Sequence, residues 1–146
     1  MHAPRNVRDI VGAVMQDDQL FAGSVAEDIT FFDPVHDSAR IEAAARLAAV
    51  HEEIVAMPTG YHSLIGDMGL SLSGGQKQRL ILARVLYRQS KLLLLDEATS
   101  HLDVGNERLV DEAVKRLALT RVIVPHRPET IASADRVLVM EDGCIA

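Results

Sequence analysis

Residues 92–95 are all leucine, and this run constrains the fold more than any other part of the sequence. A strand with one face in water alternates apolar and polar residues, whereas a strand covered on both faces of a parallel sheet is apolar throughout. Other apolar runs that contain β-branched residues occur at 10–15, 122–124 and 137–140. The pattern therefore predicts four short strands, of which 92–95 is buried on both faces.

Helical patterns separate these strands along the chain. Asp37 or Ser38 can cap a helix that runs to about Val50, with a shorter helical piece to Ala56. Residues 17–34 are expected to be irregular apart from a turn around 25–29.

Two longer helices are expected at 75–87 and 106–117. The first should bury Leu80, Ala83, Leu86 and Tyr87, and the second Leu109, Ala113 and Leu117. Alternating strands and helices predict the α/β class, with a parallel sheet and right-handed crossovers.

The composition excludes several classes of protein. Fifteen Lys and Arg against 21 Asp and Glu give a net charge of −6, so we expect no nucleic-acid partner, because nucleic-acid binders usually carry a basic face. No apolar run approaches the ~18 residues that would span a bilayer. Cys144 is the one cysteine, which excludes an internal disulfide.

Ser73, Gly74, Gly75 and Gln76 mark the start of a predicted helix and a candidate phosphate site. Ser73 with Gln76 forms an S-x-x-Q capping box, which could simply be a well-made helix start. Two consecutive glycines weaken a helix, however, at up to about 1 kcal/mol each relative to alanine. Glycines allow close backbone approach, and a helix N-terminus offers free N–H groups and positive charge. The motif therefore favours phosphate binding.

Asp96 and Glu97 end the predicted buried strand, at the edge where open α/β sheets bind ligands. A solvated strand end is the alternative, but charges next to a buried strand need partners. Asp96 suits a Mg²⁺ contact, because Mg²⁺ prefers oxygen ligands. Glu97 suits a general base that polarises an attacking water.

Gln16 and His126 also follow predicted strands. Gln16 could orient a water or contact Mg²⁺, and His126 could hydrogen-bond a γ-phosphate. A lone glutamine is more often part of a polar surface, and a lone histidine is more often structural. Only the position of Gln16 and His126 directly after predicted strands favours these roles. Asp103 either belongs to the site or begins the next helix.

Together the motifs resemble the ATPase domain of ABC transporters, a P-loop NTPase-like fold with a helical subdomain. The matching segments are Leu72-Ser73-Gly74-Gly75-Gln76 for the signature, Asp96-Glu97 for Walker B, Ser100-His101-Leu102-Asp103 for the D-loop, His126-Arg127 for the switch and Gln16 for the Q-loop. Residues 57–69 resemble the loop before the signature in exporters rather than importers. Residues 15–24 are similar to exporters of the colicin V or bacteriocin type, which implies peptide export.

The resemblance implies roles for these residues. Glu97, His126 and Gln16 would be catalytic, Asp96 and Gln16 would bind Mg²⁺, and Ser73, Gly74, Gly75, Gln76 and Asp103 would bind ATP. Two such domains would pair head to tail around two ATP molecules and drive the transmembrane domains of an exporter, at the cytoplasmic face of the plasma membrane. Residues 21–70 would be the helical subdomain with the exporter loop, and 71–146 the signature, Walker B, D-loop and switch region.

One motif of the family does not occur in the sequence. No G-x-x-x-x-G-K-[ST] phosphate loop is present, so we expect an N-terminally truncated ATPase domain that is inactive alone and binds Mg-ATP poorly. Two alternatives stay open from the sequence. One is a non-catalytic partner that donates its signature motif to another subunit, and the other is an ABC ATPase of the DNA-repair type.

Overall fold

A computed structural model describes residues 10–15, 17–66, 69–96, 104–125 and 127–146, without the side chains of residues 104 and 107. The strands in chain order are β1 (Val11–Val14), β2 (Gly23–Ser24), β3 (Leu64–Ile65), β4 (Leu92–Asp96), β5 (Thr120–Val124), β6 (Met140–Glu141) and β7 (Cys144–Ile145). The α-helices are α1 (Val25–Thr30), α2 (Ser38–Leu47), α3 (His51–Val55), α4 (Gly74–Tyr87), α5 (Val104–Arg116) and α6 (Pro128–Ala132). A 3₁₀ turn covers Gly60–His62.

A parallel sheet in the order β1-β4-β5 organises the fold, as the sequence predicted. Val14 lies opposite Leu95, and Asp96 lies opposite Val124, so the three strands end at one edge of the sheet. Leu93, the second residue of β4, is 1% exposed, whereas Leu92, Leu94 and Leu95 are half-buried, so the burial of β4 on both faces is less complete than predicted.

Helix α4 is the longest helix and carries much of the core. It packs against β1, α1 and α2. The predicted stripe is confirmed, since all four of its members are buried: Leu80, Ala83, Leu86 and Tyr87. Their burial fixes the rotation of α4 about its own axis, and so the direction in which its first turn faces.

The expected turn around 25–29 is wrong, because those residues belong to α1. The hydroxyl of Ser24 accepts the N–H of Glu27 at 3.2 Å, and the Glu27 carboxylate accepts the N–H of Ser24 at 2.8 Å. The N–H and the hydroxyl of Ser24 both donate to the Glu27 carboxylate, at 2.8 and 3.0 Å, and these two hydrogen bonds hold the pKa of Glu27 below its usual value. The sequence contains this S-x-x-E capping box, although it was not used to predict a helix. Val25 and Ile29, both 0% exposed, anchor the helix in the core.

Helix α2 begins at Ser38, capped by the carboxylate of Asp37, as predicted. Its expected continuation to about Val50 is wrong, because Ala49 adopts a left-handed conformation with φ of 55°. The chain then restarts as α3 at His51. The break turns the carbonyl of Ala49 toward α4, where it accepts a hydrogen bond described below.

Helix α5 faces the core with a different stripe from the one predicted. Val110 and Val114 are 4% and 2% exposed, whereas Leu109 is 57% exposed. Ala113 and Leu117 are half-buried. The observed and predicted stripes differ by one residue, which is about 100° of rotation about the helix axis. In the observed rotation, Asp111 forms an ion pair with Arg121 of β5 at 3.2 Å.

The predicted strand at 137–140 is also wrong. Only Met140 and Glu141 form a strand, in a two-residue hairpin with β7. Val137, Leu138 and Val139 are each more than half exposed, and no described strand pairs with them. Strand propensity describes how a residue fits a pleated, half-buried surface, and these three lack that surface here.

Candidate functional site

The start of α4 is a formed helix cap with exposed backbone. Ser73 is the N-cap, its hydroxyl accepting the N–H of Gln76 at 3.2 Å, while the amide oxygen of Gln76 accepts the N–H of Ser73 at 2.9 Å. Gly74 and Gly75 form the first turn, where an α-helix has no internal acceptor for its N–H groups. The geometry is that of an anion site at a helix N-terminus.

Arg79, one turn further along α4, holds this end of the helix against the neighbouring helices. Its guanidinium is 5% exposed and lies 2.7 Å from a carboxylate oxygen of Glu53 in α3. It also donates to the carbonyl of Ala49 at 2.6 Å and to that of Gly75 at 3.2 Å. The role of Arg79 was not predicted from the sequence, because a lone arginine in a helix gives no signal of burial.

Arg84 forms a second buried ion pair, with Asp28 of α1. One guanidinium nitrogen, Nη2, lies 2.7 and 2.8 Å from the two carboxylate oxygens. Asp28 is 0% exposed, and a charge buried to that extent requires a partner of this kind. This ion pair was not predicted either, since Asp28 lay in a segment expected to be a turn.

The aromatic rings of Phe21, Phe31 and Phe32 form a surface cluster, the aromatic patch, beside this ion pair. Phe21 contacts the other two edge to face, with centroid distances of 5.5 and 6.1 Å. The three residues are 43%, 54% and 48% exposed. Three half-exposed aromatic side chains in contact are typical of a surface that binds another protein.

The 3₁₀ turn that precedes α4 is tied to α3 by a side-chain hydrogen bond. The Tyr61 hydroxyl lies 2.8 Å from Nδ1 of His51. Burial, with a smaller contribution from the carboxylate of Glu42, raises the pKa of Tyr61 to about 12. Tyr61 therefore stays neutral at physiological pH and acts in packing and hydrogen bonding.

The second half of the site lies where β1, β4 and β5 end together. Asp96 is the last residue of β4, half-buried, opposite Val124. In the sequence Gln16 follows the end of β1, Glu97 follows Asp96, and His126 follows β5. Gln16, Glu97, His126 and Asp103 lie outside the described residues, so their roles remain predictions.

The two halves lie toward the same end of the sheet. Helix α4 connects two parallel strands, β1 and β4, so it runs antiparallel to them and begins on the side where they end. The oxygen donor of Asp96 fits Mg²⁺. Within 10–15, 17–66, 69–96, 104–125 and 127–146, no three His, Cys, Asp or Glu residues are grouped closely enough to hold a metal ion.

Comparison with known proteins gives a family match and close relatives. The family model described as ABC transporter matches residues 2–100. The chain is 46% identical over 133 residues to the probable microcin-H47 secretion/processing ATP-binding protein and to the colicin V secretion/processing ATP-binding protein, both of Escherichia coli. It is 40% identical over 142 residues to ATP-binding cassette sub-family B member 6 of Homo sapiens.

A solved structure has the same fold. A bacterial Atm1-family ABC exporter with ATP bound superposes with a TM-score of 0.89 at 37% identity, over 96% of this chain and 25% of the exporter chain. The expected α/β fold with its parallel sheet is confirmed. The match to the microcin and colicin V proteins covers 91% of this chain but only 19% of the length of each relative.

Proposed function

Because the chain belongs to the ABC transporter family of ATP-binding proteins, we propose that it forms part of the ATP-hydrolysing site of an exporter. The observation that carries the proposal is that one fold presents both a glycine-rich helix start and a strand-end carboxylate, which in a head-to-tail pair would serve two different ATP molecules. The first suits phosphate oxygens, and the second suits the metal ion that accompanies them.

The chemistry assigned to the site is hydrolysis of the terminal phosphate of ATP. Glu97 accepts a proton from the attacking water, while Gln16 and His126 orient that water and the γ-phosphate. Asp96, with Gln16, would hold the Mg²⁺ that accompanies ATP, and that ion would neutralise phosphate charge. Such positioning and charge neutralisation supply most of the catalysis in phosphoryl transfer.

A second copy or homologous subunit completes each site in this proposal. Ser73 and Gly74 are exposed, so the capped start of α4 is accessible to a nucleotide bound elsewhere. Ser73, Gly74, Gly75, Gln76 and Asp103 would contact the ATP held by the opposing subunit. A head-to-tail pair of subunits creates two equivalent sites of this kind.

The aromatic patch is the proposed contact with the transmembrane domains of the exporter. It lies within residues 21–70, which we assign to the helical subdomain, with the exporter loop before Ser73. None of the helices in the described ranges is long and apolar enough to cross a membrane. By similarity to the exporter relatives, we assign this part of the protein to the cytoplasmic face of the plasma membrane, against the transmembrane domains.

A peptide is the proposed cargo. The names of the two Escherichia coli relatives specify secretion and processing of a microcin and of colicin V. The chain shares 46% identity with both. Export of a bacteriocin-like peptide is the function that these relatives support best.

Substitution of Glu97 in the full-length protein tests the proposal. Glu97→Gln keeps the shape of the side chain and removes the base, so ATP turnover should fall by about two orders of magnitude or more while ATP binding persists. The control is Glu141→Gln, an exposed glutamate of the β6 hairpin that belongs to none of the motifs, which should leave turnover unchanged. Wild-type turnover in Glu97→Gln would contradict the proposal and favour a subunit that donates only its signature motif.

A further inference from the structure

We propose that Arg84 is a positioning residue, which fixes the start of α4 relative to the chain segment 19–28 through its ion pair with Asp28. This inference rests on the proposed function, since the orientation of Ser73–Gln76 affects catalysis only if these residues contact ATP. Neither the signature motif nor the strand-end carboxylates include Arg84 or Asp28.

The Arg84 guanidinium is bound at several points by this one segment. Nη2 lies 2.7 and 2.8 Å from the carboxylate oxygens of Asp28 and 3.3 Å from the carbonyl oxygen of Gln19. Nε donates to the carbonyl of Asp28 at 3.2 Å. The planar guanidinium, with its fixed donor directions, converts these contacts into a defined orientation of the helix.

Phe21 joins the same cluster through both its backbone and its ring. The Phe21 N–H donates to Oδ1 of Asp28 at 2.9 Å, and the Arg84 guanidinium lies 4.9 Å from the centroid of the Phe21 ring. Any displacement of the aromatic patch at Phe21 therefore acts directly on Asp28 and Arg84. Because Asp28 is 0% exposed, water cannot replace these contacts.

Helix α4 carries the position of Arg84 to Ser73. At about 1.5 Å per residue the two are roughly 16 Å apart along the helix axis, so a small change of tilt at Arg84 displaces the first turn. Apolar packing of Val25 and Ile29 also holds α1 near α4, but hydrophobic contact is non-directional. The charged hydrogen bonds of Arg84 specify the direction of α4 relative to α1, as those of Arg79 do relative to α3.

A purely stabilising role would not require charges at these positions. A buried ion pair can often be replaced by apolar residues of similar volume without loss of stability, whereas removal of one partner leaves an unpaired charge. The paired substitution Asp28→Leu with Arg84→Met therefore separates stability from orientation. It places apolar side chains at both positions and removes both charges and every directed contact of the guanidinium.

The experiment compares variants of the full-length exporter in lipid. For the paired variant we expect a melting temperature near that of the wild type, ATP affinity within about twofold and kcat lower by about tenfold, the split that a misplaced transition-state contact produces. The matched control is Arg40→Met. Arg40 also binds α4, through the carbonyl of Tyr87 at 2.8 Å and its ring at 4.6 Å, but from α2, and its loss should leave kcat unchanged.

Two results would overturn the proposal. One is a paired variant with wild-type stability and wild-type kcat. If the paired variant fails to fold, Arg84→Lys is the deciding variant, because lysine keeps the charge but not the planar guanidinium. A lowered kcat at wild-type ATP affinity in Arg84→Lys supports the proposal. A wild-type kcat in this variant refutes it. Absence of ATP turnover in the wild type would instead refute the proposed function, before any variant is compared.

Discussion

At the scale of single residues, Ser73 combines two roles that can be separated. It caps α4 through its hydroxyl, as Asp37 caps α2 through its carboxylate. A cap of either kind contributes about 1 kcal/mol to stability. Only Ser73, however, belongs to the proposed nucleotide site.

We predict that Ser73→Ala and Asp37→Ala lower the free energy of unfolding by similar amounts, about 1 kcal/mol each. Only Ser73→Ala should reduce ATP turnover, by about tenfold or more, as expected for loss of a hydrogen bond to a charged group. Denaturant unfolding and steady-state ATP hydrolysis measure the two effects. Equal turnover in the two variants would assign Ser73 to helix capping alone.

The contacts of some residues, but not of others, could be predicted from the sequence. The capping box of Ser73 and the strand-end position of Asp96 were predictable, because each depends on residues that are neighbours in the sequence. Arg79 and Arg84 were not, because their partners Glu53 and Asp28 are distant along the chain. Nothing local distinguishes a buried arginine from an exposed one.

At the scale of elements, the predictions failed where tertiary packing decides. The strands that became β1, β4 and β5 and the helices α2, α4 and α5 were found, because their apolar periods are clear. The prediction of which side of α5 faces the core was wrong by one residue, because two adjacent apolar stripes both fit a helical period. Helix α1 was missed as a helix because it has only 6 residues, although its capping box was present.

The observed face of α5 leads to a prediction about stability. Val114→Ala should lower the free energy of unfolding by about 2 kcal/mol, through lost apolar burial and the cavity left behind. Leu109→Ala removes a larger side chain from a residue that is 57% exposed, and should change stability by less than about 0.5 kcal/mol. Denaturant titration of both variants checks the assignment, and the reverse order would restore the stripe predicted from the sequence.

At the scale of the whole molecule, apolar exposure concentrates in the last third of the chain. Val122 and Val124 of the outer strand β5 are 47% and 52% exposed. Val137, Leu138 and Val139 are also more than half exposed. An edge strand and apolar surface of this extent invite association with another chain or domain.

We therefore predict that residues 1–146 expressed alone self-associate at micromolar concentration. Val122→Lys with Val124→Lys places charges on the exposed strand and should shift the chain toward monomer. Sedimentation velocity at several concentrations measures the change. A monodisperse monomer from the unsubstituted chain would contradict the prediction.

The central claim is that the start of α4 and the end of β4 act on the same ATP from two different subunits. The most direct test uses full-length dimers assembled with two affinity tags, carrying Ser73→Arg and Asp96→Ala either on opposite subunits or together on one. In a head-to-tail pair, opposite placement disables one site twice and leaves the other intact, whereas joint placement disables both.

The readout is ATP that stays bound through rapid gel filtration. We predict retained ATP in dimers with the substitutions on opposite subunits, and none when both substitutions lie on one subunit. The reverse result, retention only when both lie on one subunit, would show that each subunit binds ATP with its own α4 and β4 and would contradict the account.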